Sequence, residues 1–134
     1  MILIDTNVYV ALENGVTSAL EVLKTDTTIG IPIMVVAELS YGFSNGSKKD
    51  VNEDKLNRFL SQDFVEMVFM LTATTAKVYA ELALYARIRG RALSNNDIWI
   101  AAIAKENDFK LATYDKDFEV FLEIFGKKLL ILTR

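Results

Sequence analysis

Ile2-Leu3-Ile4-Asp5-Thr6-Asn7 is the stretch that decides how this chain folds. Three apolar residues run straight into a carboxylate. Two small polar residues follow, and an apolar helical pattern starts at Val8. A short, continuously apolar run of this kind reads as a strand buried on both faces, as in a parallel sheet. Asp5 then falls where the strand ends, and the carboxyl ends of strands are where open α/β sheets collect ligand chemistry. A charge placed there is costly unless something pairs with it. What Asp5 faces is therefore the central question.

The rest of the chain alternates in the same way. Thr6 or Asn7 can cap a helix running to about Glu13, with Gly15 as its stop. Thr17 to Lys24 reads as a short helix with Ala19, Leu20, Val22 and Leu23 inward. Thr27 to Ile33 is β-rich, and Pro32 marks the end of that strand. From Met34 to Phe43 the spacing turns helical, with Val35, Val36, Leu39 and Phe43 near one stripe and Glu38 inside it. Ser44 to Asp54 is polar and reads as a loop, followed by helix from Lys55 to Leu60. A third strand lies within Phe64 to Leu71. Thr72 or Thr74 caps a long helix to about Arg89, with Ala76, Tyr79, Ala80, Ala83 and Ala86 at helical spacing and Gly90 closing it. Ser94 opens a helix through Asn107. Phe109 to Thr113 is a short strand, Phe118 to Phe125 a short helix, and Leu129 to Thr133 a final strand. Alternating strands and helices predict a three-layer α/β/α domain around a central parallel sheet. At 134 residues, one domain spanning 1–134 is expected.

Composition removes several chemistries. Cysteine and histidine are both absent. That excludes disulfides, thiolate or imidazole metal sites, cysteine nucleophiles and Ser-His-Asp triads. Any catalysis must run on carboxylates, lysine, hydroxyls or a metal held by oxygen. The net charge of −3 argues against nonspecific coating of nucleic acid. It leaves a nuclease open, because a bound divalent cation reverses the local field of an acidic site. No basic leader precedes the first apolar run, and no run approaches the ~20 residues of a membrane span, so the cytoplasm is the expected compartment.

Four acids stand in unusual contexts: Asp5, Glu38, Asp97 and Asp115. Each follows a predicted strand or lies in the early turns of a helix, places that share one edge of a parallel sheet. Converging there they would repel one another, and a divalent cation held by oxygen, Mg²⁺ or Mn²⁺, would relieve the repulsion. Each acid also has a plain reading. Asp5 can simply cap the next helix. Ser94-Asn95-Asn96-Asp97 is a good capping box, with Ser94 at the N-cap and Asp97 three residues on. Asp115 and Asp117 can be ordinary turn residues. Glu38 resists such a reading, because its neighbours Val35, Val36, Ala37 and Leu39 imply a mostly buried helix.

Taken together, ILIDTN, VVAELSYG, NNDIWIAAIA and LATYDKDF resemble the PIN-domain nucleases, most closely the VapC toxins of VapBC toxin–antitoxin modules. The order, spacing and total length all fit. The resemblance implies a metal-dependent endoribonuclease using Mg²⁺, with Mn²⁺ as a substitute, that leaves a 5′-phosphate. It also implies a homodimer and a VapB-like antitoxin partner. It assigns Asp5, Glu38, Asp97 and Asp115 as catalytic and metal-holding acids, with Thr6, Asn7 and Thr113 in support. Asp117 is the alternative to Asp115 at the last position. Many relatives have a hydroxyl shortly before the glutamate, where this chain has Val35 and Val36.

Arg87, Arg89 and Arg91 crowd the end of the long helix. They read equally as contacts to RNA phosphate and as cations favourably placed at a helix C-terminus. Two other functions compete: a housekeeping PIN nuclease of RNA processing, and an acidic, Mg²⁺-binding receiver-like signalling module. The second would need a lysine after a late strand, for which Lys116 is the only candidate.

Overall fold

Ile2–Ile4 forms the first strand, and all three residues are buried. In the computed structural model, which describes residues 1–25 and 27–134, it is the middle strand of five. The strands are β1 (Ile2–Ile4), β2 (Ile29–Pro32), β3 (Val65–Val68), β4 (Lys110–Thr113) and β5 (Leu129–Ile131). All pairings are parallel, in the order β3-β2-β1-β4-β5. The register Leu3↔Gly30 and Leu3↔Leu111 places the buried runs side by side. Apolar residues on both faces of the central strands require helices on both faces.

Those helices are α1 (Thr6–Glu13), α2 (Thr17–Leu23), α3 (Ile33–Ser44), α4 (Lys49–Leu60), α5 (Ala73–Ile88), α6 (Asn95–Asn107) and α7 (Leu122–Phe125). A 3₁₀ turn, Lys116–Phe121, precedes α7. α1 packs on α2 and α3, α3 on α4, and α5 lies along α6. The result is the expected three-layer α/β/α arrangement. Phe118 and Phe121 are fully buried, as are Ile100, Ile103 and Leu111, all in one hydrophobic core. From β1 the chain steps outward to β2 and β3, then crosses back to β4 and on to β5. The ends of β1 and β4 therefore flank the point where strand order reverses, the place for a cleft in an open α/β sheet.

Several expectations change. The segment expected to be a loop from Ser44 to Asp54 is mostly helix, since α4 begins at Lys49. Polarity alone misled here: α4 buries a single residue, Leu56, and carries Asp50 in its first turn and a Lys49–Glu53 pair at i,i+4. α1 is capped by Asp5 itself, whose carboxylate accepts from the Val8 N–H, and by neither Thr6 nor Asn7. Glu38 is exposed, as is Ala37, because the buried side of α3 runs through Met34, Val35 and Leu39. Leu20 faces outward. On α5 the buried positions are Thr75, Leu82 and Ala86, so the small-residue stripe is rotated and Ala76 and Ala80 are exposed. The helix expected over Phe118 to Phe125 divides into the 3₁₀ turn and α7.

The start of α5 shows how the outer helices are tied. Thr72 caps it, and the Thr75 hydroxyl accepts from the Thr72 N–H at 3.0 Å. That same hydroxyl donates to Glu106 of α6 at 2.5 Å. Thr75→Val keeps the shape and removes both bonds. It should lower stability by about 1–3 kcal/mol, seen as a lower urea midpoint at unchanged slope. A parental midpoint would show that the cap contributes nothing.

Candidate functional site

Asp5 is the residue at which β1 stops and α1 begins. Its backbone is extended, and its Oδ1 accepts from the Val8 N–H at 3.1 Å, supplying one of the bonds a helix start needs. Its Oδ2 accepts from the Thr113 hydroxyl at 2.5 Å. Thr113 ends β4, is fully buried, and its hydroxyl oxygen accepts in turn from the Asp115 N–H at 3.0 Å. Asp115 Oδ1 then accepts from the Asp117 N–H at 2.8 Å and caps the 3₁₀ turn. One hydroxyl thus joins the ends of β1 and β4 and sets two carboxylates side by side.

The other two acids come from helices. Asp97 lies in the first turn of α6, where Ser94 Oγ accepts from its N–H at 3.1 Å. Glu38 projects from α3, and Asn96 Nδ2 donates to its Oε1 at 3.2 Å. Asp5, Glu38, Asp97 and Asp115 all line one cleft of about 230 Å³. Thr6, Asn7, Ser94 and Ile100 complete its wall. A larger groove of about 280 Å³, between β3 and the end of α6, is mainly apolar and lies away from the four acids.

The charges in the cleft are under strain. Asp5 is only 6% exposed. Burial pushes its pKa from 3.8 up to about 6; Asp97 and Asp115 add to the rise, and the bonds from Thr113 and Val8 oppose it. Asp97 is likewise raised, first by burial and then by Asp115 and Glu38, against its bonds to Ser94. A hard divalent cation fits this donor set: the acids offer only oxygen, and their mutual repulsion is what a cation relieves. The Thr6 hydroxyl adds a second sign of fit, being buried in the cleft wall with no hydrogen-bond partner among the described residues. As they stand, no three acidic side chains among the described residues gather closely enough to enclose one ion.

Other expected residues lie outside the cleft wall. Asp117 turns away and accepts from Arg91 Nη1 at 3.2 Å, which leaves Asp115 as the acid in the cleft. Arg89 stacks over the Tyr85 ring at 3.3 Å and bonds the Tyr85 carbonyl. Arg87 is exposed in the last turn of α5. Lys116 is exposed and does not line the cleft. Sequence reasoning missed Asn96, which stands one residue before Asp97 in a segment that reads as a cap.

Residues 2–121 match the family described as PIN domain. The chain is similar to Ribonuclease VapC2 of Rickettsia felis, 34% identical over 122 residues, 87% of this chain and 89% of that protein. It is also similar to Toxin FitB of Neisseria gonorrhoeae, 30% identical over 122 residues, 86% of this chain and 88% of that protein. Among solved structures, VapBC2 from Rickettsia felis bound to a DNA fragment from their promoter superposes with a TM-score of 0.77 at 33% identity, over 98% of each chain.

The raised Asp5 pKa has a consequence for stability. With the folded value near 6 and the unfolded value near 3.8, the folded protein binds the extra proton, so the metal-free protein gains stability as pH falls through that window. Above about pH 6 the ionised Asp5 costs roughly 2–3 kcal/mol. Asp5→Asn keeps an oxygen for Val8 and sheds the charge. In EDTA it should melt higher than the parent at neutral pH, and the advantage should fade between about pH 6 and about pH 4. Melting curves across that range check this; a variant less stable than the parent at neutral pH would contradict it.

Proposed function

This chain belongs to the PIN-domain family, and from that membership we propose that it is a divalent-metal-dependent endoribonuclease, the toxin of a type II toxin–antitoxin pair. The observation that carries the reading is the meeting of Asp5, Glu38, Asp97 and Asp115 in one cleft at the strand-order reversal. PIN-domain nucleases generally use divalent metal ions. Mg²⁺ is the ion proposed here, with Mn²⁺ as a substitute, because every donor is oxygen.

Asp5 and Asp97 would hold the ion directly, Glu38 a second ion or a water, and Asp115 would complete the set. Bound there, the cation supplies Lewis acidity that makes a water nucleophilic at neutral pH and offsets charge developing on the phosphate. The chain's own groups do the rest. Thr113 fixes Asp5 by a neutral hydroxyl, so its orientation is set without neutralising its charge. The Thr6 hydroxyl, buried in the wall with no partner among the described residues, keeps a hydrogen bond to give. Asn7 stands beside it in the wall. Arg91, tethered through Asp117 beside Asp115, would meet the RNA backbone, with Arg87 and Arg89 just before it at the end of α5.

The reading includes hydrolysis leaving a 5′-phosphate, a VapB-like antitoxin, a homodimer, and one nuclease domain over 1–134 working in the cytoplasm. Among the described residues no helix is long and apolar enough to cross a membrane. Exposed Leu84 (55%) and Ile88 (71%), four apart on α5, are apolar surface that a second copy would cover. The likeness to toxins over nearly their whole length favours the toxin over a housekeeping nuclease. The receiver-like alternative loses its support, since Lys116 stands outside the cleft wall.

Purified protein should cleave a labelled RNA with Mg²⁺, stop after EDTA, and recover with Mg²⁺ or Mn²⁺. Asp97→Asn should stay folded and lose on the order of 100-fold or more in rate, the scale of several kcal/mol of lost charge stabilisation. Its melting temperature should no longer rise with Mg²⁺. Parental cleavage after exhaustive chelation, or by Asp97→Asn, would sink the proposal.

A further inference from the structure

Three of the four acids are held by the turns that carry them. Asp5 caps α1, Asp115 caps the 3₁₀ turn, and Asp97 is anchored through Ser94 at the head of α6. Glu38 has no such support. It stands well inside α3, on an exposed turn, at the end of a long side chain. Its hydrogen bond among the described residues comes from Asn96 Nδ2, at 3.2 Å, reaching across from α6. An exposed glutamate without that bond would sample many rotamers, and few of them would point at Asp97 and Asp5.

We propose that Asn96 is a positioning residue that aims the Glu38 carboxylate into the acidic cleft; the proposal rests on the nuclease reading above. The chemistry of the donor supports it. A bond from a neutral donor to a carboxylate is strong enough to select a rotamer. An amide does this without bringing a positive charge, so Glu38 keeps its full charge for a cation. Lysine or arginine at the same place would neutralise the acid and compete with the ion. The amide engages Oε1 and leaves Oε2 free for the cleft. Asn96 is adjacent to Asp97, so the first turn of α6 delivers one acid and orients another that comes from α3.

Asn96→Ala tests this: alanine is the better helix former, so the helix itself loses nothing, and a merely structural role of the amide would show as lower stability without metal while Mn²⁺ affinity stayed parental. Asn96→Leu, which keeps the side chain's size and lacks the donor, repeats the test. Mn²⁺ binding is read by calorimetry and RNA cleavage across a Mn²⁺ titration, for the parent, both Asn96 variants, Glu38→Gln and the Glu38→Gln/Asn96→Ala double variant. The expected result is unchanged melting without metal, Mn²⁺ affinity weakened about 10-fold, and cleavage that falls most at subsaturating Mn²⁺. The double variant should be no worse than Glu38→Gln alone. Parental Mn²⁺ affinity in both Asn96 variants overturns the inference, as does a loss that adds in full to that of Glu38→Gln. A parent that neither binds Mn²⁺ nor cleaves RNA overturns the nuclease reading and this inference with it. A parent that does both while Asn96→Ala matches it overturns the inference alone.

Discussion

Like charges held close together at the end of a buried strand are the constraint around which this structure is arranged. Asp5 sits at the tip of the central strand with little access to water, and Asp97 and Asp115 both push its proton affinity upward. The fold tolerates this by giving each acid a second occupation. Asp5 and Asp115 each begin a helical turn, and Asp97 lies in the first turn of α6. At those places backbone N–H groups lack partners and the helix dipole favours negative charge. Cap and cleft residue are therefore compatible roles. The local bonds hold each carboxylate in place, and the repulsion between them persists as the force that a cation would relieve.

This dual role explains why so much could be read in advance. The apolar run Ile2–Ile4 followed by Asp5 fixed a buried parallel strand with an acid at its end, because few other arrangements cover both faces of such a strand. Ser94 and Asp97 were legible as the start of a helix, and α6 begins there. Thr72 as a cap and Gly90 as a stop mark α5 equally well. Signals of this kind are local: a cap or a positive-φ glycine is set by a few consecutive residues.

Depth and long-range pairing are set differently, and there sequence reasoning failed. Glu38 lies among valines and a leucine, yet α3 turns only one side to the core, and the glutamate falls on the other. The Asn96–Glu38 bond spans 58 positions, so no local pattern encodes it. Arg91 read equally as a phosphate contact and as the cation of a helix end, and neither reading names its partner, Asp117, which belongs to a turn 26 residues on. The polar stretch before Lys55 folds as helix because α4 is anchored from its second half, by buried Leu56 and partly buried Phe59 and Leu60, and its first turns need little apolar periodicity.

Those long-range pairs bear on how an acidic cleft meets a polyanion. The chain carries a net charge of −3, and four of its carboxylates face the cleft, so attraction for RNA cannot come from the bare surface as a whole. It has to come from the bound cation and from arginines close by. Arg91 and Asp117 form an ion pair at 3.2 Å with both side chains nearly half exposed, and such pairs contribute only about 0–1 kcal/mol. On the proposed function, Arg91 can exchange Asp117 for an RNA phosphate at little cost. Asp117 stays fixed meanwhile by its own N–H bond to Asp115. The phosphate so captured would lie beside the acids, where the cation changes the sign of the local field. An acidic site can then reject polyanions in general while accepting one that arrives with its metal and its arginine in place.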